Sequence, residues 1–169
     1  MKTDKSSMLL YAVTDRTWLK GRSLANAVEE ALKAGVTFLQ LREKNLDFSS
    51  FLELARDIKK IADKYRVPYV INDNVDIAIA CGADGVHVGQ EDMDAKEVRK
   101  TIGPDKILGV SAQTVEQAVN AENNGADYIG VGSVFPTSTK PDAETVSFET
   151  LRNICKAVSI PVVAIGGIN

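Results

Sequence analysis

The chain has 169 residues, of which 44% are apolar, 25% charged and 6% aromatic; such a length and composition exclude a disordered chain and point to a single domain with a sizeable core. Lys and Arg number 20 against 23 Asp and Glu, a net charge of −3, which argues against a general nucleic-acid binder because the broad positive field for phosphate is missing. Cys81 and Cys155 are the only thiols and stand apart, so both are expected as small buried residues in a reducing compartment, and the cytoplasm is the expected location. Residues 1–7 are polar, and nowhere do 18 apolar residues run together, so neither a signal peptide nor a membrane span is expected.

Short apolar runs alternate with longer amphipathic ones. Residues 8–14 (MLLYAVT) predict a strand, and 23–34 predict a helix ending at Gly35 as C-cap. A strand over 36–42 (VTFLQLR) precedes a helix over 48–65, where Phe51, Leu54, Ala55, Ile58, Ile61 and Ala62 form one stripe. Further strands are expected at 68–72, 84–88, 107–111, 127–131 and 161–165. Helices are expected between them at 75–81, 95–101, 114–124 and 147–158.

Seven strands separated by helices imply parallel pairing, because a parallel neighbour needs a crossover long enough to return to the same end of the sheet. An internal echo supports a repeated unit: Gly82-Ala83-Asp84-Gly85-Val86-His87-Val88-Gly89 resembles Gly125-Ala126-Asp127-Tyr128-Ile129-Gly130-Val131-Gly132. Repetition favours a closed (β/α) barrel, with a flavodoxin-like doubly wound sheet as the structural runner-up.

Both architectures place ligands at the carboxyl ends of the strands. The second strand closes Leu39-Gln40-Leu41-Arg42-Glu43-Lys44; a period of two sends the leucines toward the helices and Gln40, Arg42 and Lys44 toward the mouth. A cation held there suits an anionic ligand, although Arg42 could equally pair with Glu43 or Asp15. The third strand ends Asn72-Asp73, and Asp92 follows the fourth. Two carboxylates about 4 Å apart repel by about 4 kcal/mol at an effective dielectric near 20, so a converging pair calls for a cation. Mg²⁺ fits, since it takes one or two carboxylates and completes its shell with water and phosphate oxygens. The competing reading of Asp73 is a cap on the next helix.

Ser111 closes the fifth strand and could bind an anion or cap the following helix. After the sixth comes Gly132-Ser133-Val134-Phe135-Pro136-Thr137-Ser138-Thr139-Lys140-Pro141, a long hydroxyl-rich connection suited to a phosphate. The seventh ends Ile165-Gly166-Gly167, where absent side chains permit close backbone approach to a ligand. His87, the only histidine, is expected to be a packed residue rather than a base. Arg16 and Trp18 fall in the first rim loop without a spacing that assigns them a role. No Walker sequence, dinucleotide fingerprint, metal-histidine motif or nucleophile elbow occurs.

Taken together and in order, Tyr11-Ala12-Val13-Thr14-Asp15, Gln40-Leu41-Arg42-Glu43-Lys44, Asn72-Asp73, His87 through Asp92, Gly130 through Lys140 and Ala164-Ile165-Gly166-Gly167-Ile168 resemble the thiamine phosphate synthase family. The resemblance implies a (β/α)₈ TIM barrel and a transferase that joins a pyrimidine methyl diphosphate to a thiazole phosphate, releasing pyrophosphate. It implies that Gln40, Leu41, Arg42, Glu43, Lys44 and Asn72 hold the pyrimidine diphosphate and that Asp73 and Asp92 bind Mg²⁺. Ser111 and Lys140 would contact the diphosphate or the pyrimidine, and Thr137, Ser138, Thr139 and Gly167 the thiazole phosphate. Arg42, Lys44, Ser111 and Lys140 would then act on the reacting diphosphate, with no protein nucleophile.

Seven strands are spent by Ile165, so the barrel is expected to be incomplete, one domain over 1–169 with its last unit missing. An unclosed edge would invite pairing with another chain, making a homo-oligomer. Two other readings stay open: a thiazole tautomerase-like relative, and a non-catalytic barrel that binds phosphate ligands.

Overall fold

The computed structural model describes residues 5–137 and 145–168. Contacts group the chain into two compact units, Thr3–His87 and Val88–Asn169. In the first, β1 (Tyr11–Val13), α1 (Leu24–Lys33), β2 (Phe38–Leu41), α2 (Phe48–Tyr65), β3 (Tyr69–Asn72), α3 (Val75–Ala80) and β4 (Gly85–Val88) alternate, with Val88 falling in the second unit. The second unit carries α4 (Ala95–Ile102), β5 (Ile107–Ala112), α5 (Val115–Asn123), β6 (Tyr128–Val131), α6 (Phe148–Ala157) and β7 (Val162–Ala164).

Within the first unit β1 pairs β2, β2 pairs β3 and β3 pairs β4, all parallel. Within the second, β5 pairs β6 and β6 pairs β7, again parallel. The β2–β3 pairing rules out the flavodoxin-like alternative, in which the first strand lies between the second and third. Within each unit an α-helix lies between consecutive strands, so those strands become neighbours.

Helix starts follow side-chain chemistry. Ser23, Asp47, Asn74, Asp94, Thr114 and Ser147 cap α1 to α6, each accepting a backbone N–H of the first turn; a cap contributes about 1 kcal/mol. Thr114 forms a full capping box with Gln117, so Ser111 is not the cap of α5. On α2 the buried stripe is Phe51, Ala55, Ile58 and Ala62, while Leu54 and Ile61 at its flanks are half-buried.

Two faces separate by parity along the strands. Leu39, Leu41, Tyr69 and Ile71 lie on the helix side, where the Tyr69 hydroxyl donates to the Ala55 carbonyl of α2 at 3.2 Å. Burial pushes the ionisation of that phenol upward. Tyr11, Phe38 and Gln40 share the other face: the two rings pack with centroids 4.6 Å apart, and Gln40 Nε2 donates to the Tyr11 hydroxyl at 2.8 Å.

The sequence places the first strand too early. Lys5–Met8 forms a 3-10 turn and Leu9 and Leu10 are exposed; pairing starts only where Thr37 and Phe38 donate to the Leu10 carbonyl. Cys81 is buried as expected, but Cys155 is exposed on α6, whose buried residue is Ile154. Adjacent positions on a helix point about 100° apart, so burial of Ile154 turns Cys155 away from the core. Among the described residues no helix is long and apolar enough to cross a membrane.

Candidate active site

The carboxyl ends of β1 and β2 form one hydrogen-bonded assembly. Thr14 N–H donates to the Gln40 carbonyl at 3.0 Å, and Arg42 N–H donates to Thr14 Oγ1 at 2.9 Å. Asp15 caps a 3-10 turn, Arg16–Trp18, by accepting the Thr17 N–H at 2.7 Å. That turn carries Arg16 to Glu43, where Nε donates to both carboxylate oxygens at 2.8 and 2.9 Å. The partner open to Arg42 in the sequence is thus taken: Glu43 belongs to Arg16. Hydrogen bonds from Thr17 and, more weakly, the Arg42 charge hold the Asp15 carboxyl below the usual range, with burial opposing. Among the described residues no carboxylate lies within ion-pair distance of Arg42 or Lys44.

Gln40 is buried, 5% exposed, with its amide on the helix-free face. Leu41 is fully buried on the helix side, so of Leu41 only the backbone could meet a ligand. Parity puts Asn72 and His87, partners in register, on the same face as Gln40. His87 is 8% exposed and engaged within the protein, in keeping with a packed residue.

Asp73, like Lys20 and Arg66, is a non-glycine residue of this unit at positive φ. It has φ +62°, and Asn74 N–H donates back to the Asn72 carbonyl at 2.8 Å, closing a three-residue γ-turn centred on Asp73. Such positive-φ γ-turns are rare and strained. Asn74, not Asp73, caps α3 by accepting from Ile77 N–H at 2.9 Å. The cap reading of Asp73 therefore fails, and its exposed carboxyl is held at a strand end by costly geometry, a pattern that clusters at functional sites.

In the second unit, Gly89 N–H donates to Asp92 Oδ2 at 2.7 Å, folding the turn after β4. Gln90, which sequence reading passed over, donates from Nε2 to the Ser111 carbonyl at 2.6 Å and ties this turn to the end of β5. Asp92, Met93 and Asp94 line a small cavity with Val110, Gln117 and Asn120. Ser111 is half-buried, has a partner within the protein, and shares its face with Gly130 of β6.

The connection after β6 is anchored on the end of β7. Val134 and Phe135 donate to the carbonyls of Ile165 and Gly166, both at 2.9 Å, and the Phe135 ring meets Phe148 edge-on at 5.6 Å. A Cβ on Gly167, at φ +63°, would sit 2.8 Å from both Phe135 Cβ and the Pro136 carbonyl, so the packing of the neighbouring loop by itself requires glycine at this position. Thr137 is described and has a partner within the protein; Ser138, Thr139 and Lys140 lie outside the described residues.

Asp73 in the first unit and Asp92 in the second each offer hard carboxylate oxygen, the kind Mg²⁺ selects. Among the described residues no three of His, Cys, Asp and Glu gather into a metal cluster, nor does Mg²⁺ need three when waters and phosphate oxygens complete its shell.

Residues 10–169 match a protein family described as thiamine monophosphate synthase. A thiamine-phosphate synthase of Clostridium tetani is 59% identical over 160 residues, which cover 95% of this chain and 77% of the relative. One from Clostridioides difficile is 54% identical over 98% of this chain and 79% of its own length. Among solved structures, a thiamine phosphate pyrophosphorylase from Pyrococcus furiosus superposes with TM-score 0.88 at 41% identity, covering 96% of this chain and 77% of that one. The fold class is accordingly the α/β TIM-barrel type, with seven parallel strands among the described residues.

Proposed function

The chain belongs to the thiamine monophosphate synthase family, with the transferase activity of a thiamine-phosphate synthase, and we propose that its strand-end residues hold a pyrimidine methyl diphosphate for attack by a thiazole phosphate. The products are thiamine phosphate and pyrophosphate. The observation that carries the residue assignment is positional: Arg42, Asp73, Asp92 and Ser111 each stand at or just beyond the carboxyl end of β2, β3, β4 or β5. That is where barrel chemistry is placed.

Arg42 and Lys44 meet the diphosphate as cations with no carboxylate partner among the described residues. Gln40 and Asn72 orient the pyrimidine from the helix-free face, Gln40 itself oriented by Tyr11. Asp73 and Asp92 hold Mg²⁺, which when bound supplies positive charge to the phosphate oxygens. Ser111 and Lys140 contact the diphosphate, and Thr137, Ser138, Thr139 and Gly167 receive the thiazole phosphate. As the C–O bond to the diphosphate breaks, negative charge accumulates on the leaving group; Arg42, Lys44 and Lys140, placed beforehand, stabilise it more than they stabilise the bound substrate. The electron-rich aminopyrimidine carries the methylene cation until the thiazole nitrogen attacks, so the protein's share is positioning and electrostatics. The expected setting is cytoplasmic, with small phosphorylated molecules as the substrates.

The test is calorimetry with each substrate separately, followed by a coupled assay of pyrophosphate release. Both substrates bind and pyrophosphate appears only when both are present with Mg²⁺. Binding of one thiazole phosphate without release would favour a tautomerase-like activity, and binding without turnover a passive phosphate-ligand barrel. Asp92→Ala abolishes most turnover at ordinary Mg²⁺; full activity without any divalent ion removes the metal assignment.

A further inference from the structure

Glu43 stands between the two cations assigned to the diphosphate, Arg42 and Lys44, and its side chain is only 4% exposed. A carboxylate there is a problem for anion binding. It repels the diphosphate, and it competes for the same cations, since Coulomb attraction to a neighbouring guanidinium or ammonium grows as burial excludes water. Arg16 resolves this by donating Nε to both Glu43 oxygens from 27 residues away. Its own side chain is 50% exposed, so it reaches in from the surface.

The turn that carries Arg16 is itself fixed. Asp15 caps it through Thr17 N–H, and Thr14 is bound to the same strand end through Gln40 and Arg42. The β1 end thus presents Arg16 to Glu43, while among the described residues no carboxylate pairs with the flanking cations.

We propose that Arg16 is a positioning residue for the anion-binding segment: by occupying Glu43 it keeps that carboxylate off Arg42 and Lys44, which stay available to the diphosphate. Glu43, which the family resemblance counts among the diphosphate-holding residues, then does not touch substrate and leaves that set; it anchors the loop and is neutralised from outside. The inference rests on the reading of Arg42 and Lys44 as diphosphate ligands.

The test is steady-state kinetics of the full chain with the pyrimidine diphosphate varied. Arg16→Met is expected to raise KM for this substrate about tenfold, the size of one lost charge-assisted contact, with a smaller change in kcat. The double variant Arg16→Met/Glu43→Gln returns KM to within about twofold of wild type, because the competing carboxylate is gone. A bridge that mattered only to folding would lower the melting temperature in Arg16→Met while leaving the KM of the folded protein unchanged, and a double variant as impaired as the single overturns the proposal. So does an unchanged KM in Arg16→Met.

Should Arg16→Met fail to fold, Glu43→Gln and Arg16→Lys decide: both keep KM within about threefold, and a larger rise in Glu43→Gln means that Glu43 contacts substrate, which defeats the inference. Arg42→Ala is run in parallel. An unaffected KM there rejects the diphosphate reading itself, whereas a raised KM in Arg42→Ala beside a normal one in Arg16→Met rejects only the role of Arg16.

Discussion

Asp84 and Tyr69 are bound to each other twice: Asp84 N–H donates to the Tyr69 carbonyl at 2.8 Å, and Tyr69 N–H donates to Asp84 Oδ2 at 2.9 Å. Asp127 makes the same two bonds with Leu108, at 2.7 and 2.8 Å, and Thr37 makes them with Leu10 through its hydroxyl, both at 2.9 Å. In each case a glycine two residues earlier, Gly82, Gly125 or Gly35, ends a helix at positive φ, the conformation that favours glycine as a C-cap. The echo visible in the sequence is therefore a structural device at the amino ends of the strands, opposite the site, where it aligns each strand with its predecessor.

Cations reinforce two of these clamps unequally. Arg99 donates to the carbonyls of Gly103, Lys106 and Gly125 as well as to Asp127, whereas Lys59 reaches Asp84 at 3.6 Å and is shared with Asp63. Arg99→Ala is expected to cost about 3 kcal/mol in urea unfolding, since several part-buried acceptors lose their donor. Lys59→Ala is expected to cost about 1 kcal/mol or less. Equal losses in the two variants would contradict this ranking.

The strained turn at Asp73 separates function from stability. Glycine removes roughly 1 kcal/mol of positive-φ strain but adds a comparable entropic cost in the unfolded chain. Asp73→Gly should therefore leave the melting temperature nearly unchanged while turnover falls at least a hundredfold, about 2.7 kcal/mol of transition-state stabilisation. A clear loss of melting temperature with activity retained would mean that the carboxyl serves the fold.

Gly167→Ala probes the loop packing at the end of β7. With its Cβ pressed on Phe135 and the Pro136 carbonyl, the variant must shift the connection after β6, at an expected cost of about 1–3 kcal/mol. Turnover should fall with it, and the Phe135–Phe148 contact should loosen in side-chain NMR. A variant indistinguishable from wild type in both stability and thiazole phosphate affinity would show that the loop yields freely.

Acid sensitivity follows from Asp15. Its folded carboxyl titrates below the usual range, chiefly through hydrogen bonds from Thr17. The contribution to stability is thus fully present above the unfolded value, near 3.8, and is lost as pH falls through the lower folded one. The stability gap between wild type and Asp15→Asn should shrink as pH drops below about 4. A gap that stays constant or widens on acidification would reverse the sign of this linkage.

Hydrophobic periodicity and glycine punctuation were enough to locate the seven strands and six α-helices of the described residues, because both are local properties read within a few residues. The acid, amide and cation-bearing strand ends were legible for the same reason. Tertiary structure alone decided partnership. Arg16 rather than Arg42 takes Glu43, Asn74 rather than Asp73 caps α3, and Phe135 and Pro136 pack close against Gly167. The first and last of these join residues about 30 positions apart, brought together by parallel register across one strand pair, which no local pattern encodes. At Asp73 two adjacent residues compete for one cap, and the strand ladder settles it: Asp73 N–H is drawn to the His87 carbonyl at 2.7 Å, leaving Asn74 at the helix start.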